Sequence, residues 1–503
     1  MVPGSAAPPP ATCDTDITRI KTKSQLCKGV LRKLDLRLLP VVTAVYFLSV
    51  LDRSNIGNAR VAGLERDLGL TEKQYKICVT IFFIPYLLSE LPSNLILKVV
   101  GPRRLLPTLL SLWGAVTCIQ GLVTNFWGLL ATRFFLGLFE GPMLPGIILY
   151  LSGFYTRREL GLRLAYFFSA MSLAGAFSGF LAAAISKMDG IGGKRGWAWI
   201  FILEGLLSVV VGFACFFLIP STLEDARFLT AEEREVVLNR LEQDRPAILT
   251  SAGFQWKEVA GTLLSPHVLI LAMIFFFNGA VLFGLAIFIP SIIKSLGFSP
   301  IKSQLLSVGP FATGFFVALF SSLISDRYNV RAIPIIISAI LSATGFIIFL
   351  STTRTFVLYG SLFLAVSGAY SISPISSAWA SNNSEPHYRR ATAIALVAVL
   401  TNGAGIVSTW SFPDSAAPRY TGTIIMNLTC AIMVGVLSAI NGLLLHRKNK
   451  QKEDPVQRQK MISPYCESEG HWDHESGHKC GEEADKRAWL VLGDKHPDFK
   501  YVI

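Results

Sequence analysis

Twelve stretches of this chain are long and apolar enough to cross a lipid bilayer, and that feature decides what it can fold into. A helix needs about 20 predominantly apolar residues to traverse a hydrocarbon core of about 30 Å. The stretches fall at approximately 37–60, 76–98, 105–124, 126–151, 162–186, 198–219, 267–290, 303–325, 331–351, 355–380, 389–410 and 422–446. Glycine and proline recur inside them, which membrane helices tolerate and water-soluble helices rarely do. Composition agrees: 51% of the 503 residues are hydrophobic and only 16% charged, against about 25% charged in an average soluble protein. So few charges could not cover a soluble chain of this length. The same counts exclude disorder, a coiled coil, collagen and a disulfide scaffold. The expected class is an all-α membrane protein with twelve transmembrane helices.

The net charge of +12 would suit a nucleic-acid binder, but the placement of the basic residues gives another reason for it. Lys21, Lys23, Lys28, Arg32 and Lys33 precede the first span. Arg103, Arg104, Arg157, Arg158, Arg327, Arg331, Arg389, Arg390, Arg447, Lys448 and Lys450 then fall on connections of the same side. Opposite connections are short and mixed in sign, as around Asp189, Lys194 and Arg195. The positive-inside rule therefore expects both termini in the cytoplasm and no nucleic-acid partner. Pro220 to about Pro266 is the longest internal connection and divides the spans six and six. Within it, Thr230-Ala231-Glu232-Glu233 fits a capping box that opens a short surface helix. No cleavable signal is expected ahead of the first span, and the Pro/Ala-rich start reads as disordered. The expected units are a disordered tail (1–35), a six-helix bundle (36–220), a cytoplasmic loop (221–265), a second bundle (266–446) and a cytoplasmic tail (447–503).

A weak internal repeat supports two halves. Ser322, Asp326, Arg327 and Arg331 stand between spans eight and nine; Asn94, Lys98 and Arg103 occupy the corresponding stretch between spans two and three. These charges at helix ends are candidate gating or structural residues.

An ionisable side chain at the bilayer centre costs at least about 2.5–3.5 kcal/mol, so each one needs a reason. The apolar run 38–51 is only about 21 Å long as a helix and cannot span alone. The first helix must continue through Asp52 and Arg53, which places them in the membrane facing a wet cavity; the alternative is that they mark an external helix end. In span four, Arg133, Gly137 and Glu140 share a helical face. A buried Glu beside an Arg can exchange a proton when a substrate anion competes for the Arg; the alternative is a permanent structural pair. Glu140 is the expected proton site. Glu90 and Glu204 read as structural partners of Arg residues at helix ends, and Lys98 as a snorkelling residue.

Spans seven to twelve offer only neutral polar groups inside: Asn278, Gln304, Tyr370, Trp379, Asn402 and Trp410. The first half is thus expected to handle charge, and the second to supply shape and neutral hydrogen bonds. A Trp or Tyr near a helix end is more often an interfacial anchor. No histidine lies inside a span, so proton coupling falls to a carboxylate. His471, His474, His478 and Cys480 fit no zinc pattern and read as disordered tail. The eight cysteines form no C-x-x-C pair and read as reduced. P-loop, G-x-S-x-G and H-E-x-x-H motifs are absent, which argues against an ATP-driven pump or a metalloprotease. No cofactor and no enzymatic activity are expected.

Over about residues 30–446 the chain resembles the major facilitator superfamily. The carriers are the twelve-span plan and the Ser322-to-Arg331 motif. Leu51 through Ala59, Glu90 through Asn94, Arg133 through Pro145, and Gly196-Trp197-x-Trp199-x-Phe201-x-x-Glu204-Gly205 resemble its anion:cation symporter branch. Within that branch the fungal allantoate permease group is nearest, and nicotinic acid permeases look closest. Lys98 departs from the superfamily motif, where an Asp is usual. The resemblance implies proton-coupled symport of a small organic anion by alternating access in the plasma membrane, as a monomer. It implies coupling and anion contact for Asp52 and Arg53, anion binding and proton exchange for Arg133 and Glu140, and substrate contact for Asn278 and Asn402; among the neutral polar groups of the second half, Tyr370 is a further candidate for substrate binding. Nicotinate, pantothenate, biotin and allantoate all stay open as substrates. An exporter, a nutrient receptor signalling through its tail, and a vacuolar location stay open beside the importer.

Overall fold

A computed structural model describes residues 13–244, 261–384, 387–413, 419–456, 458 and 492–503. In chain order its helices are α1 (Cys13–Val61), the short α2 (Leu64–Asp67), α3 (Glu72–Val100), α4 (Pro102–Gln120), α5 (Phe126–Glu140), α6 (Met143–Ser152), α7 (Arg157–Ile185) and α8 (Gly196–Leu218). They continue with α9 (Ala231–Asp244), α10 (Pro266–Ser295), α11 (Pro300–Tyr328), α12 (Ala332–Ser351), α13 (Thr355–Asn382), α14 (His387–Trp410) and α15 (Thr421–Glu453). The described residues contain no strand. Nine of these segments, with α5 and α6 joined as one, are long and apolar enough to cross a bilayer unaided. The other passes are α3, α4 and α7. α3 carries Lys76 and Glu90 within its length, and α4 opens on Arg103 and Arg104.

Local chemistry sets where these helices start. Thr71 and Gln74 form a capping box at α3, with the Thr71 N–H donating to Gln74 Oε1 at 2.9 Å. The Asn125 side chain accepts from the Gly128 N–H at 2.8 Å and caps α5. The capping box of Thr230 and Glu233 opens α9 as the sequence predicts. α9 lies across the first bundle, where Lys33 pairs with Glu233 at 2.5 Å and Arg240 with Glu159. The Lys33 ammonium holds the Glu233 carboxyl below its usual range.

In the first half α4 packs on α8, α3 on α5 and α1 on α7; in the second, α12 packs on α13 and α15, and α10 on α14. The halves meet through α7 with α11, α1 with α10, and α3 with α14. Passes alternate in direction, so both termini lie at one end of the bundle, here the terminal end. At the opposite, distal end the halves are sealed. Lys294 Nζ donates to the Val61 carbonyl at 3.3 Å, Trp410 Nε1 to Thr80 Oγ1 at 3.1 Å, and Gln304 Nε2 to the Asn58 carbonyl at 3.2 Å. Gly57 permits the closest approach: a Cβ there would sit 2.1 Å from the Ile287 carbonyl oxygen.

One terminal expectation changes. α1 begins at Cys13, so the tail expected to be disordered over 1–35 is helical from that residue, with Val30 and Leu34 fully buried. Residues 1–12 lie outside the described residues. At the other terminus, residues 492–503 fold back onto the second half. The Val502 carbonyl accepts from Trp379 Nε1 at 2.9 Å and from Asn383 Nδ2 at 2.8 Å, and Asn383 Oδ1 takes the Val502 N–H at 2.8 Å. Asn449 grips Tyr501 in the same two-way fashion. Trp379 is therefore a buried anchor for the tail rather than an interfacial residue. His471, His474, His478 and Cys480 lie outside the described residues.

Candidate functional site

The break between α5 and α6 at Gly141-Pro142 lies directly after Glu140. α5 must approach α3 closely to seat that residue, and glycine allows it: a Cβ on Gly137 would meet the Phe82 carbonyl oxygen at 2.1 Å. Glu140, fully buried, then points at α1. Its Oε1 accepts from Arg53 Nε at 2.5 Å and from Ser49 Oγ at 2.5 Å, while Oε2 has no hydrogen-bond partner among the described residues. Arg53 Nη2 also donates to the Tyr86 hydroxyl at 2.9 Å, and the guanidinium lies 4.7 Å from the Tyr86 ring centre.

Arg133 and Glu140 share a face of α5 as expected, yet Arg53 and not Arg133 is the partner of Glu140. Arg133 is only 3% exposed, and among the described residues neither its Nε nor its Nη2 has a hydrogen-bond partner. Its guanidinium carbon lies 5.8 Å from the ring centre of Phe201. A buried cation left with open donors is costly unless an anion completes it.

Arg53 and Arg133 face a common cavity between the two halves, of about 150 Å³. By the same measure one water needs roughly 10–15 Å³. Tyr46, Tyr86 and Phe283 contribute apolar wall, while Tyr370, Asn402 and Ser373 bring polar groups from the second half. The lining continues through Ile148, Ser381 and Ile394 toward the terminal end, opposite the distal seal.

The other sequence-predicted residues separate clearly. Tyr370 and Asn402 line the cavity; Asn402 Nδ2 donates to the Ala398 carbonyl at 3.0 Å. Asn278 stands behind the wall, donating to Ser373 Oγ at 3.0 Å. Asp52 does not face the cavity. It turns into the first bundle, where its Oδ2 accepts from Trp113 Nε1 at 2.6 Å and Ser208 Oγ at 3.4 Å. The expectation that Asp52 faces water alongside Arg53 is corrected by helical geometry: neighbours on a helix point about 100° apart. Glu204 and Glu90 also differ from expectation, since neither forms an ion pair with a described Arg; Glu204 instead accepts from Asn55.

At the terminal end Arg331 pairs with Asp326 at 2.5 Å and donates to Ser325 Oγ at 2.9 Å, while Arg327 is exposed in the last turn of α11. In the first-half counterpart Arg103 Nε reaches the Phe216 carbonyl at 3.4 Å, and the Lys98 side chain lies outside the described residues. Sequence reasoning missed Ser49 and Tyr86, both bound to Arg53. Ser49 carried a usable signal, being four residues before Arg53 on the same helical face; Tyr86 did not, because its contact depends on how α3 packs.

Comparison with known proteins agrees with this geometry. The family model described as Major Facilitator Superfamily matches residues 42–409. An uncharacterized transporter of Schizosaccharomyces pombe is 36% identical over 435 residues, which cover 86% of this chain and 86% of that one. The high-affinity nicotinic acid transporter of Saccharomyces cerevisiae is 32% identical over 481 residues, covering 94% of this chain and 85% of that one. Among solved structures, the proton:xylose symporter XylE bound to 6-bromo-6-deoxy-D-glucose superposes with a TM-score of 0.62 at 15% identity, covering 82% of this chain and 95% of that one. That likeness is one of fold. With two six-helix halves enclosing a cavity lined by an arginine that has no ion pair among the described residues, the chain belongs to the Major Facilitator Superfamily of membrane transporters.

Proposed function

We propose that this transporter is a proton-coupled symporter of a small organic carboxylate, nicotinate or a related vitamin or nitrogen-source anion, acting by alternating access in the plasma membrane as a monomer. The observation that carries the reading is Arg133, a buried guanidinium in the cavity wall whose Nε and Nη2 have no hydrogen-bond partner among the described residues. A carboxylate is the ligand whose two oxygens best match that fork. The similarity to a nicotinic acid transporter supports the choice of substrate class.

The second cation is held in reserve. Arg53 is engaged by Glu140, so a carboxylate that needs both arginines must compete with Glu140. A proton added to Glu140 removes that competition and leaves Arg53 free for the substrate. The formal charge of Arg53, Arg133 and Glu140 is +1. One proton and one monoanion bound together leave it at +1, which keeps the loaded site no harder to carry past the seal than the empty one. With both termini in the cytoplasm, the cavity beside the terminal end faces inward, the state in which substrate and proton leave.

Cells expressing the chain should take up labelled nicotinate faster as external pH falls, and a protonophore should abolish accumulation. A panel with pantothenate, biotin and allantoate fixes the substrate. Uptake of all four that ignores the proton gradient would overturn the coupling.

A further inference from the structure

Glu204 and Asp52 form a second buried acidic centre, distinct from the Arg53–Glu140 pair and outside the cavity. The two carboxylates are 3% and 2% exposed and share one amide: Asn55 Nδ2 donates to Glu204 Oε2 and, at 3.5 Å, to Asp52 Oδ1. Neither carboxylate forms an ion pair with a described residue. The surroundings treat them unequally. Asp52 collects Trp113 Nε1, Ser208 Oγ and Asn55, donors suited to an ionised carboxylate. Glu204 has only Asn55, and its Oε1 is buried with no partner. Arg133 and Glu140 from α5 act on Asp52 through space, and Asp52 in turn acts on Glu204 and on the neutral Cys118 thiol of α4.

Two anions cannot share one amide donor inside an apolar bundle without a counter-cation, because each would carry a desolvation cost of several kcal/mol. We infer that Glu204 is a second proton-binding residue of this transporter, holding a proton while Asp52 stays ionised. Addition of the proton makes Glu204 neutral, and its release leaves two anions on either side of Asn55.

The polar chain leading from this centre gives the proton somewhere to act. Ser178 Oγ donates to Asn55 Oδ1 at 3.3 Å and accepts from Asn58 Nδ2 at 2.6 Å, and the Asn58 carbonyl accepts Gln304 Nε2 from the second half at 3.2 Å. Glu204 is thus joined by hydrogen bonds to the distal seal. This deepens the reading of proton coupling and rests on it for its role in transport, while protonation itself is testable with no substrate.

The experiment is infrared spectroscopy of the full-length protein in lipid at neutral pH, which separates protonated from ionised carboxyls. Glu204→Gln should lose protonated-carboxyl absorbance equal to one group, and Asp52→Asn should retain it. Wild-type absorbance in Glu204→Gln overturns the inference. Should that variant fail to fold, Glu140→Gln protein labelled with carbon-13 at the glutamate carboxyls should still show a shifted protonated band, and the same protein labelled at aspartate should not; a shift in the Asp-labelled sample alone, or none in the Glu-labelled one, overturns it. Nicotinate accumulation in proteoliposomes carrying Glu140→Gln tests the coupling reading separately, since persistence there would sink that reading and leave the infrared result standing.

Discussion

Arg133 and Arg53 carry the same charge within one cavity, but only one of them is available. Truncating Arg133 should therefore act on binding, and disturbing the partner of Arg53 should act on coupling. A hydrogen bond to a charged group contributes about 1.5–3 kcal/mol, so Arg133→Ala should weaken nicotinate affinity by about 10–100-fold. Arg133→Lys should recover part of it, because a point charge lacks the fork. Isothermal titration of the purified protein measures both, and unchanged affinity in Arg133→Ala would remove this residue from the site. Glu140→Gln mimics the protonated state permanently. It should abolish accumulation driven by a pH gradient and leave exchange of labelled for unlabelled nicotinate intact; an accumulating variant would show that coupling lies elsewhere. At this scale the sequence was legible for residue type and face: a buried Arg and Glu on one side of α5 are visible as offsets of seven. The identity of the partner was not visible, because it depends on how closely α5 approaches α3 through Gly137, a distance that only packing sets. The same limit reversed the reading of Asp52, whose hydrogen bonds come from α4 and α8.

Among elements, the distal seal and α9 make different demands. α1 and α10 touch where Gly57 faces the Ile287 carbonyl, and a methyl group cannot be accommodated 2.1 Å from that oxygen. Gly57→Ala should keep the distal end from closing and shift the population toward the state open on that side. A cysteine placed at Ala286, in the cavity wall, should then react faster with an impermeant thiol reagent added from the distal side than the same cysteine in the parent; equal rates would refute the clash as a gate. α9 is held by charge. Glu233 has its carboxyl lowered by Lys33, so the contact is complete above the usual glutamate range and is lost as pH falls through the lowered value. Lys33 is half exposed, so the pair contributes only about 0.2–1 kcal/mol. Hydrogen-exchange protection of residues 231–244, referred to the intrinsic rate at each pH, should fall modestly in acid or high salt, and Glu233→Gln should reduce that pH dependence. The helix and its capping box were legible from Thr230 and Glu233; its docking site was not, because Lys33 and Glu159 lie far away in sequence.

For the whole molecule, the C-terminal residues 492–503 bear on the choice between a carrier and a receptor that signals through its tail. They are bound to the second half across several helix ends. Arg389 pairs with Asp494 at 2.5 Å, Lys452 Nζ donates to the Asp494 and Phe499 carbonyls at 2.6 and 2.9 Å, and the Ile503 carbonyl oxygen accepts the Arg331 N–H at 2.6 Å. A segment whose backbone is this heavily committed caps the bundle instead of presenting itself to partners. None of these contacts touches the cavity wall formed by Arg53, Arg133 and Tyr370. Removing 492–503 should therefore strip the indole N–H of Trp379 and the amides of Asn383 and Asn449 of their partners, at about 1–3 kcal/mol for each group left buried and unsatisfied. The thermal midpoint of the purified protein should fall, while the affinity for nicotinate at Arg133 stays unchanged. Uptake by the truncated chain should scale with the amount of folded protein in the membrane. A truncation that leaves stability and uptake intact but abolishes a cellular response to external nicotinate would instead identify a receptor, with the docked tail as its output.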